Sequence, residues 1–254
     1  MRPRGGEEPG KAAAEPLPCF VPPPPAPPGG RLPVVVLVSG GGTTLQNFLI
    51  ERARGGLPID IRLVISSRPD AFALERARRA AIPTLVLRPR AFADPTAYGA
   101  AIAEAAAQAE AQLVCMAGFL HFWQVPQAWL GRVLNIHPAL LPAFGGRGMY
   151  GDRVHAAVLE YGCKVSGCTV HMADNIYDHG PVVIQRVVYV LQGDTVASLR
   201  ARVFQEECVA YPQAIRLLAE GRIAVEGRRV LIVPPPTAPR PEPLDGEPAE
   251  GVAP

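Results

Sequence analysis

The sequence predicts a single α/β domain of three layers, in which helices cover both faces of a mostly parallel β-sheet. Continuous apolar runs such as 34–38 and 113–116 have the length and β-branched content of strands buried on both faces. These runs alternate with segments of helical character, and such alternation indicates βαβ units. The predicted fold class is therefore Rossmann-like.

The elements follow from apolar runs and from helix start and stop signals. In the first half we predict strands at 34–38, 61–65, 84–87 and 113–116, and helices from 45, over 71–80 and over 95–112. In the second half we predict a strand that includes 135–137, a helix over 153–161, strands at 166–172 and 182–191, and a helix over 195–220. We expect Asp70 and Asp152 to cap their helices, Pro212 to kink or split the last helix, and Gly221 to end it.

Both ends of the chain are rich in proline. Residues 1–31 include four consecutive prolines at 22–25, and residues 234–254 combine proline with glutamate. Segments of this composition bury too little apolar surface to offset the entropy lost on ordering. We therefore expect disordered tails at 1–31 and 234–254, which could be deleted without loss of stability, and one folded catalytic domain over 32–233.

A glycine-rich turn, Ser39–Thr44, joins the first buried strand to a helix. Free backbone N–H groups and the helix dipole make such a turn an anion site, and we favour a phosphate. The turn lacks the lysine of nucleotide-triphosphate loops, and Leu45 stands where the dinucleotide fingerprint needs its third glycine. We expect Gly42 to let the backbone approach the phosphate closely. An ordinary tight turn is the alternative.

A polar pair, Asn135 and His137, follows an apolar run, and Asp178 comes 41 residues after His137. Residues two apart on a strand point to the same face, and open α/β sheets place their chemistry at strand ends. The pair offers an amide donor and a titratable acid or base. The alternative is that both residues merely cap a strand and its turn.

Composition excludes several function classes. The net charge of +2 argues against nucleic-acid binding, and the sequence contains no run of about 18 apolar residues that could span a membrane. The N-terminus lacks the apolar stretch of a secretory signal, and five cysteines without a CxxC pair fit a reduced, cytoplasmic protein. A metal on His171, Asp178 and His179 is a possible alternative, but such sets usually need a third fixed ligand, and we expect no metal.

Four stretches resemble, in order, motifs of the folate-dependent formyltransferases, and the resemblance covers about residues 33–223. Ser39–Gln46 resembles the family's phosphate loop, and Ala117–Phe119 resembles the run after its fourth strand. Asn135–Pro142 resembles its catalytic Asn-x-His-Pro motif with a Leu-Leu-Pro tail, and Asp178–Pro181 resembles its Asp-x-Gly-Pro motif. Each stretch alone is weak, but all four at this spacing are specific. The resemblance implies the formyltransferase fold.

The resemblance also implies a reaction. Family members transfer the formyl group of N10-formyltetrahydrofolate to an amine, here the glycinamide amine of 5'-phosphoribosylglycinamide in de novo purine biosynthesis, through a tetrahedral intermediate. It implies that Asn135 holds the formyl oxygen and that protonated His137 stabilises the oxyanion. It further implies that Asp178 raises the pKa of His137 and relays protons. No metal and no covalent enzyme intermediate are implied.

Substrate contacts can be carried over by position. The resemblance implies that the ribotide and its phosphate contact Gly41, Gly42, Thr43, Thr44, Gly118, Ile136 and Glu207. It implies that the folate contacts Leu120, His121, Phe122, Trp123, Asn135, Ala173, Asp174, Asn175, Ile176, Tyr177 and Asp178. For Trp123 and Tyr177, simple core packing is the alternative. A family arginine near the phosphate falls at Pro95, so we expect either that Arg88 or Arg90 replaces it or that the contact is absent.

Three competing functions would require other domains or other residues than those of this sequence. Methionyl-tRNA formyltransferase and formyltetrahydrofolate hydrolase share the three catalytic residue types but usually carry a further domain, for which the short tails leave no room. A non-catalytic nucleotide- or folate-binding module would keep the glycine turn without needing Asn135, His137 and Asp178 together. We therefore expect small-molecule substrates, no nucleic acid, no membrane, and a monomer or homodimer.

Overall fold

The computed structural model of the chain describes residues 18–234, which form a seven-stranded sheet flanked by helices and a separate two-stranded hairpin. The sheet strands are β1 (Leu32–Val38), β2 (Ile59–Ser66), β3 (Thr84–Val86), β4 (Leu113–Met116), β5 (Val133–His137), β6 (Val165–Met172) and β7 (Val182–Tyr189). The helices are α1 (Thr43–Ala53), α2 (Phe72–Arg79), α3 (Pro95–Gln108), α4 (Asp152–Tyr161) and α5 (Val196–Ala219). In this range no helix combines the length and apolarity needed to cross a membrane.

The strand order across the sheet is β3-β2-β1-β4-β5-β6-β7, and the first five strands are parallel. The last two strands, β6 and β7, run antiparallel to their neighbours. The chain moves from β1 outwards to β3 and then returns to β4 on the other side of β1. Right-handed crossovers therefore place α3 on the opposite face from α1 and α2. The predicted three-layer, mostly parallel α/β fold is confirmed.

Helix α5 packs mainly against β6 and β7, and its Tyr211 reaches the neighbouring strands β4 and β5. The Tyr211 hydroxyl is fully buried, 3.1 Å from the carbonyl oxygen of Met116 on β4 and 2.9 Å from that of Leu134 on β5. The Tyr211 ring meets Phe48 of α1 edge to face at 5.0 Å. These contacts bind α1, α5 and both strands into one core.

Two helix predictions differ from the structure. Helix α2 begins after Ala71 without a side-chain cap, because Asp70 instead forms an ion pair with Arg68 at 2.6 Å. Asp152 is the first residue of α4 rather than its cap, and its carboxylate pairs with Arg200 at 2.9 Å. Both carboxylates still lie at helix starts, where the helix dipole favours negative charge.

Helix α5 is one element and continues through Pro212, so the predicted split is wrong. Proline removes one backbone hydrogen bond and crowds the preceding turn. Here Pro212 and its neighbours Tyr211 and Ala214 are buried against the sheet, and this packing offsets that cost. A capping box at Thr195 and Ser198 secures the start of the helix.

The C-terminal hairpin was not predicted. Strands β8 (Ile223–Glu226) and β9 (Arg229–Ile232) pair antiparallel around a turn at Gly227 and Arg228. Each strand has four residues and mixes charged with apolar side chains, so no clear alternation marks it in the sequence. Its base lies after α5, and Ile223 is buried in the core.

The predicted tail boundary at residue 31 is wrong, because residues 18–31 pack on the domain. Phe20 joins the core, and the Val21 N–H donates to the carbonyl oxygen of Leu130 at 3.1 Å. Further along, the Ala26 N–H donates to the carbonyl oxygen of Ala219 at 2.8 Å. Prolines have a preset φ and no N–H, so an extended proline-rich segment can dock with few hydrogen bonds. The predictions for 1–17 and 235–254 lie outside the described residues.

This packing predicts a specific loss of stability. Phe20→Ala should lower the free energy of unfolding by about 3 kcal/mol, because it removes a buried aromatic ring from the core. Val21→Ala is the matched control, since the Val21 side chain is exposed and only its backbone is engaged. Denaturant unfolding of both variants checks the prediction. Equal stabilities would show that residues 18–31 contribute nothing to the core.

Candidate active site

A cavity of about 310 Å³ opens at the carboxyl ends of β1, β4 and β5, beside the point where the strand order reverses. Open α/β sheets bind ligands in such a crevice. Sixteen of the predicted site residues line it, namely Thr43, Thr44, Gly118, Leu120, His121, Phe122, Trp123, Asn135, Ile136, His137, Ala173, Asp174, Ile176, Tyr177, Asp178 and Glu207.

Three predicted residues, Gly41, Gly42 and Asn175, do not line the cavity. Chain conformation and packing require a glycine at position 42. The φ of Gly42 is +70°, and a Cβ atom there would lie 2.6 Å from the Cβ of Ala73 on α2. The expected approach of this backbone to a phosphate stays a prediction. Asn175 points away and holds the N–H and carbonyl of Val125 at 2.7 and 3.2 Å.

The predicted catalytic residues meet around the carboxylate of Asp178. Oδ2 lies 3.5 Å from Nδ1 of His137, and Oδ1 lies 3.5 Å from Nδ2 of Asn135. The same Oδ2 accepts the backbone N–H of Gly146 at 2.9 Å. Asn135 and His137 do share a face of β5, as their spacing predicts, and Asp178 reaches them from the loop after β6.

His171 is a fourth member of this cluster that the sequence offered only as a metal ligand. Its Nε2 lies 3.1 Å from Nδ2 of Asn135 and 3.7 Å from Oδ1 of Asp178. His171 stands directly opposite Asn135 in the antiparallel pairing of β5 and β6. Cross-strand partners are close neighbours, so knowledge of this register would have identified it. A parallel β6 would have placed it elsewhere.

The loop after β5 holds both catalytic side chains with its backbone. The carbonyl oxygen of Phe144 lies 2.8 Å from Nε2 of His137, and Gly146 donates to Asp178. At Gly145 a Cβ would lie 2.6 Å from the end of the Leu141 side chain and 3.2 Å from the Cβ of Asp178, so a larger residue would require both side chains to shift. Phe144 and Asp178 themselves have φ values of +54° and +51°, which cost energy outside glycine. The site is therefore strained and closely packed.

Burial decides the protonation of His137. Burial lowers its pKa below the ordinary histidine value, and the charge of Asp178 and the Phe144 carbonyl oppose this only in part. Asp178 does raise the pKa of His137, as expected, but burial outweighs this contribution and the net pKa lies below the ordinary value. Because a carbonyl only accepts, Nε2 carries the proton of the neutral ring and Nδ1 faces Asp178.

Asp178 stays ionised although it is largely buried. Burial by itself raises the pKa of the Asp178 carboxyl, but the nearby rings of His171 and His137 and the Gly146 N–H together hold this pKa below its usual value. The free protein thus pairs an ionised carboxylate with a neutral imidazole. Such a pair can take up one proton.

The glycine turn leaves the first N–H groups of α1 open. Gly42 is the residue before the helix and no side chain caps it, while Thr43 and Thr44 line the cavity. None of Arg76, Arg88 and Arg90 lines the cavity. Arg76 of α2 nevertheless contacts the turn directly, because its Nε donates to the carbonyl oxygen of Gly41 at 2.9 Å and its Nη1 donates to Gln46 at 2.7 Å.

The opposite wall of the cavity is apolar. Trp123 is almost fully buried and belongs to the core as well as to the wall, so the core-packing alternative accounts for part of its role. Tyr177 is half exposed, and its ring lies 5.0 Å from that of Phe122, so it is not a core residue. Leu120 and Ile176 are exposed at the rim. A flat, apolar ligand matches this wall.

Glu207 and His179 are two other titratable residues of this region. Glu207 lines the cavity from α5, and desolvation raises the pKa of its carboxyl to about 7. His179 turns away from His171 and binds Asp174, with Nδ1 to Oδ2 at 2.8 Å. Within residues 18–234 no three His, Cys, Asp or Glu side chains are arranged as metal ligands.

Known proteins are similar to this chain along most of the described domain. Over 168 residues it is 39% identical to the trifunctional purine biosynthetic protein adenosine-3 of Drosophila melanogaster, and the match covers 65% of this chain and 12% of that protein. It is 38% identical over 173 residues to a chloroplastic phosphoribosylglycinamide formyltransferase of Arabidopsis thaliana, covering 66% of this chain and 59% of the relative. The chain thus spans about an eighth of the fly protein.

A solved structure is similar over nearly its whole length. The glycinamide ribonucleotide transformylase 1 of Symbiobacterium toebii superposes with a TM-score of 0.75 at 45% identity, and the match covers 80% of this chain and 95% of that one. The formyl transferase family pattern matches residues 32–215, which include the glycine turn, all seven strands of the sheet and most of α5. The chain therefore belongs to the formyl transferase family.

Proposed function

We propose that this protein transfers the formyl group of N10-formyltetrahydrofolate to the glycinamide amine of 5'-phosphoribosylglycinamide in purine biosynthesis. The observation that carries the proposal is the convergence of Asn135, His137 and Asp178 on one wall of the cavity. Formyl transfer builds negative charge on an oxygen while an amine loses a proton. It therefore needs an amide donor and a coupled acid–base pair side by side.

The ribotide binds at the end of the cavity formed by the glycine turn. The N–H groups and hydroxyls of Thr43 and Thr44 receive the phosphate, and Arg76 adds positive charge beside them. Glu207, across the cavity on α5, accepts a hydrogen bond from a ribose hydroxyl. This arrangement leaves the amine end of the ribotide near Asn135 and His137.

The folate co-substrate binds at the apolar end. Leu120, Phe122, Trp123 and Tyr177 form walls that suit a flat ring, and the backbone of the loop after β6 offers polar groups to its edge. The co-substrate supplies the activated formyl group, and no group other than the two substrates is required.

Asn135, His137 and Asp178 then share the chemistry. As the amine nitrogen bonds to the formyl carbon, Asn135 turns an Nδ2 hydrogen from its long 3.5 Å contact with Asp178 to the formyl oxygen. Nδ1 of His137, neutral at the start, accepts the amine proton directly or through water. The imidazolium is stabilised by Asp178 and Phe144 and lies close to the new oxyanion. The proton passes to N10 as the carbon–N10 bond breaks, and His137 returns to its neutral form.

One experiment separates this function from its competitors. Pure protein is incubated with formyl-folate, with and without the ribotide, and folate release is followed. Release only with the ribotide, with one formylated amine per folate, is expected. Release without it would indicate a hydrolase that uses water, and binding of either compound without release would indicate a non-catalytic module.

The catalytic assignment makes a first prediction. Asn135→Ala, His137→Ala and Asp178→Asn should each lower kcat by at least about a hundredfold, the scale of a lost oxyanion donor or acid–base group. Asp70→Asn is the matched control, because that carboxylate is exposed and pairs only with Arg68. Steady-state kinetics check this. Near-normal turnover in Asp178→Asn would contradict the proposed proton relay.

The pKa of His137 makes a second prediction. Because burial lowers this pKa, His137 should be neutral at pH 7 and should gain its proton only below the ordinary value of about 6.5. In Asp178→Asn the carboxylate no longer favours the charged ring, so the pKa should fall further. NMR titration of the His137 ring protons in both proteins measures the two values. An unchanged pKa in the variant would mean that the two groups are not coupled.

The ribotide end makes a third prediction. Arg76→Ala and Thr43→Ala should each raise the KM for the ribotide by roughly fivefold to tenfold, since each removes about one hydrogen bond or its supporting charge. The KM for formyl-folate should stay the same. Arg79→Ala, one turn further along α2 and exposed, is the control. Gly42→Val is unsuitable here, because the clash with Ala73 would damage the fold.

If Arg76→Ala weakens both substrates equally, the arginine supports the fold of the turn and not the phosphate. If it weakens neither, the glycine turn does not bind the ribotide. Titration of each variant with each substrate separately distinguishes these outcomes.

A further inference from the structure

The loop 173–180 carries most of the apolar rim of the cavity together with Asp178, and two contacts tie it to the walls of the site. The Asn175 side chain holds Val125, and the Asp178 carboxylate holds Gly146. Gly180 closes the loop against β6, where a Cβ would lie 1.8 Å from the carbonyl oxygen of Met172. These contacts hold the loop at Asn175, Asp178 and Gly180, but they do not involve the side chains of Asp174 and His179.

A third tether comes from outside the sheet. The Asp174 carboxylate shapes the loop, because Oδ1 accepts the N–H of Ile176 at 3.0 Å and Oδ2 lies 2.8 Å from Nδ1 of His179. Nη1 of Arg228 in turn lies 2.6 Å from Nε2 and 3.2 Å from Nδ1 of His179, and Nη2 donates to the His179 carbonyl oxygen. The guanidinium thus holds both the ring and the backbone of one loop residue.

Arg228 stands on the turn of the β8–β9 hairpin, which is well anchored at its base. Ile223 is buried in the core, and the Val233 N–H donates to the carbonyl oxygen of Arg222 at 3.0 Å. A hairpin with a fixed base is a firm support for a side chain at its turn. No role in the reaction proposed above requires the hairpin to contact a substrate, because none of its residues lines the cavity.

We propose that Arg228 is a positioning residue, which acts through His179 and Asp174 to hold the loop 173–180 in the shape that binds the pteridine end of the folate co-substrate. The inference rests on the proposed function. The route is direct, since the same Asp174 carboxylate that binds His179 also fixes the N–H of Ile176, and both Asp174 and Ile176 line the cavity. Catalytic Asp178 has its own support from Gly146, so turnover depends on Arg228 much less than folate binding does.

The test compares Arg228→Ala with Arg229→Ala. Arg229 is the next hairpin residue, is exposed, and makes no side-chain hydrogen bond or ion pair with residues 18–234. Titration with a stable 5-deazatetrahydrofolate should show a dissociation constant raised about fivefold in Arg228→Ala and unchanged in Arg229→Ala. The KM for the ribotide and kcat at saturation should stay within about twofold of the parent. Arg228→Lys should restore part of the affinity, because the charge and one donor remain.

A double-mutant cycle tests the route. In a His179→Ala background, Arg228→Ala should cost clearly less folate affinity than it does alone, because the contact is already broken. Equal costs in both backgrounds would overturn the route through His179. Folate binding as tight in Arg228→Ala as in Arg229→Ala would overturn the positioning role.

Two further results bear on the proposal. A uniform loss of both substrates together with a lower melting temperature would show that Arg228 only stabilises the fold, and this too would overturn it. If the unmodified protein itself does not bind the deazafolate, both the proposed function and the inference about Arg228 are wrong. If the unmodified protein binds and turns over while Arg228→Ala behaves like the parent, only the inference fails.

Discussion

The carboxylate of Asp178 is the group on which the site depends. It lies in a largely buried position, and the other three members of its cluster, Asn135, His137 and His171, face it from β5 and β6. A buried carboxylate without partners would take up a proton and lose its charge. The Gly146 N–H and the neighbouring histidines keep it ionised, and only in that state can it couple to the protonation of His137.

Keeping that carboxylate in place explains the irregular backbone around it. Asp178 and Phe144 both adopt positive φ values, and Gly145 lies in close contact with the side chains of Leu141 and Asp178. Such conformations cost free energy and persist where surrounding contacts enforce them. Here the contacts come from three separate places, the loop after β5, the strand pair β5–β6 and the hairpin turn. The backbone strain and the burial therefore occur at the same residues. The loops that cover Asp178 and His137 adopt unfavourable φ values where they pack closely over these side chains.

Sequence reasoning predicted the sheet, and it predicted that Asn135 and His137 share one face of a strand, since apolar runs and a two-residue spacing are local signals. It could not find His171 as a partner of Asn135, because that contact depends on β6 running antiparallel. It missed Arg76, which reaches the glycine turn from a different helix, and it missed the packing of Gly42 against Ala73. It assigned residues 18–31 to a tail because composition does not reveal that Phe20 fits a gap in the core.

The departure from the family pattern at Pro95 falls outside the sheet. Pro95, where an arginine is usual in the family, is the first residue of α3, whereas Asn135 and His137 lie on β5, which Tyr211 contacts at the carbonyl oxygen of Leu134. Strand positions are held by the hydrogen bonds of the sheet, so a change there disturbs several partners at once. A position outside the sheet can change if another group supplies the same charge or support, which is the role that we propose for Arg76 beside the glycine turn. Substrate affinity can therefore be rebuilt from new residues while the reacting groups stay the same.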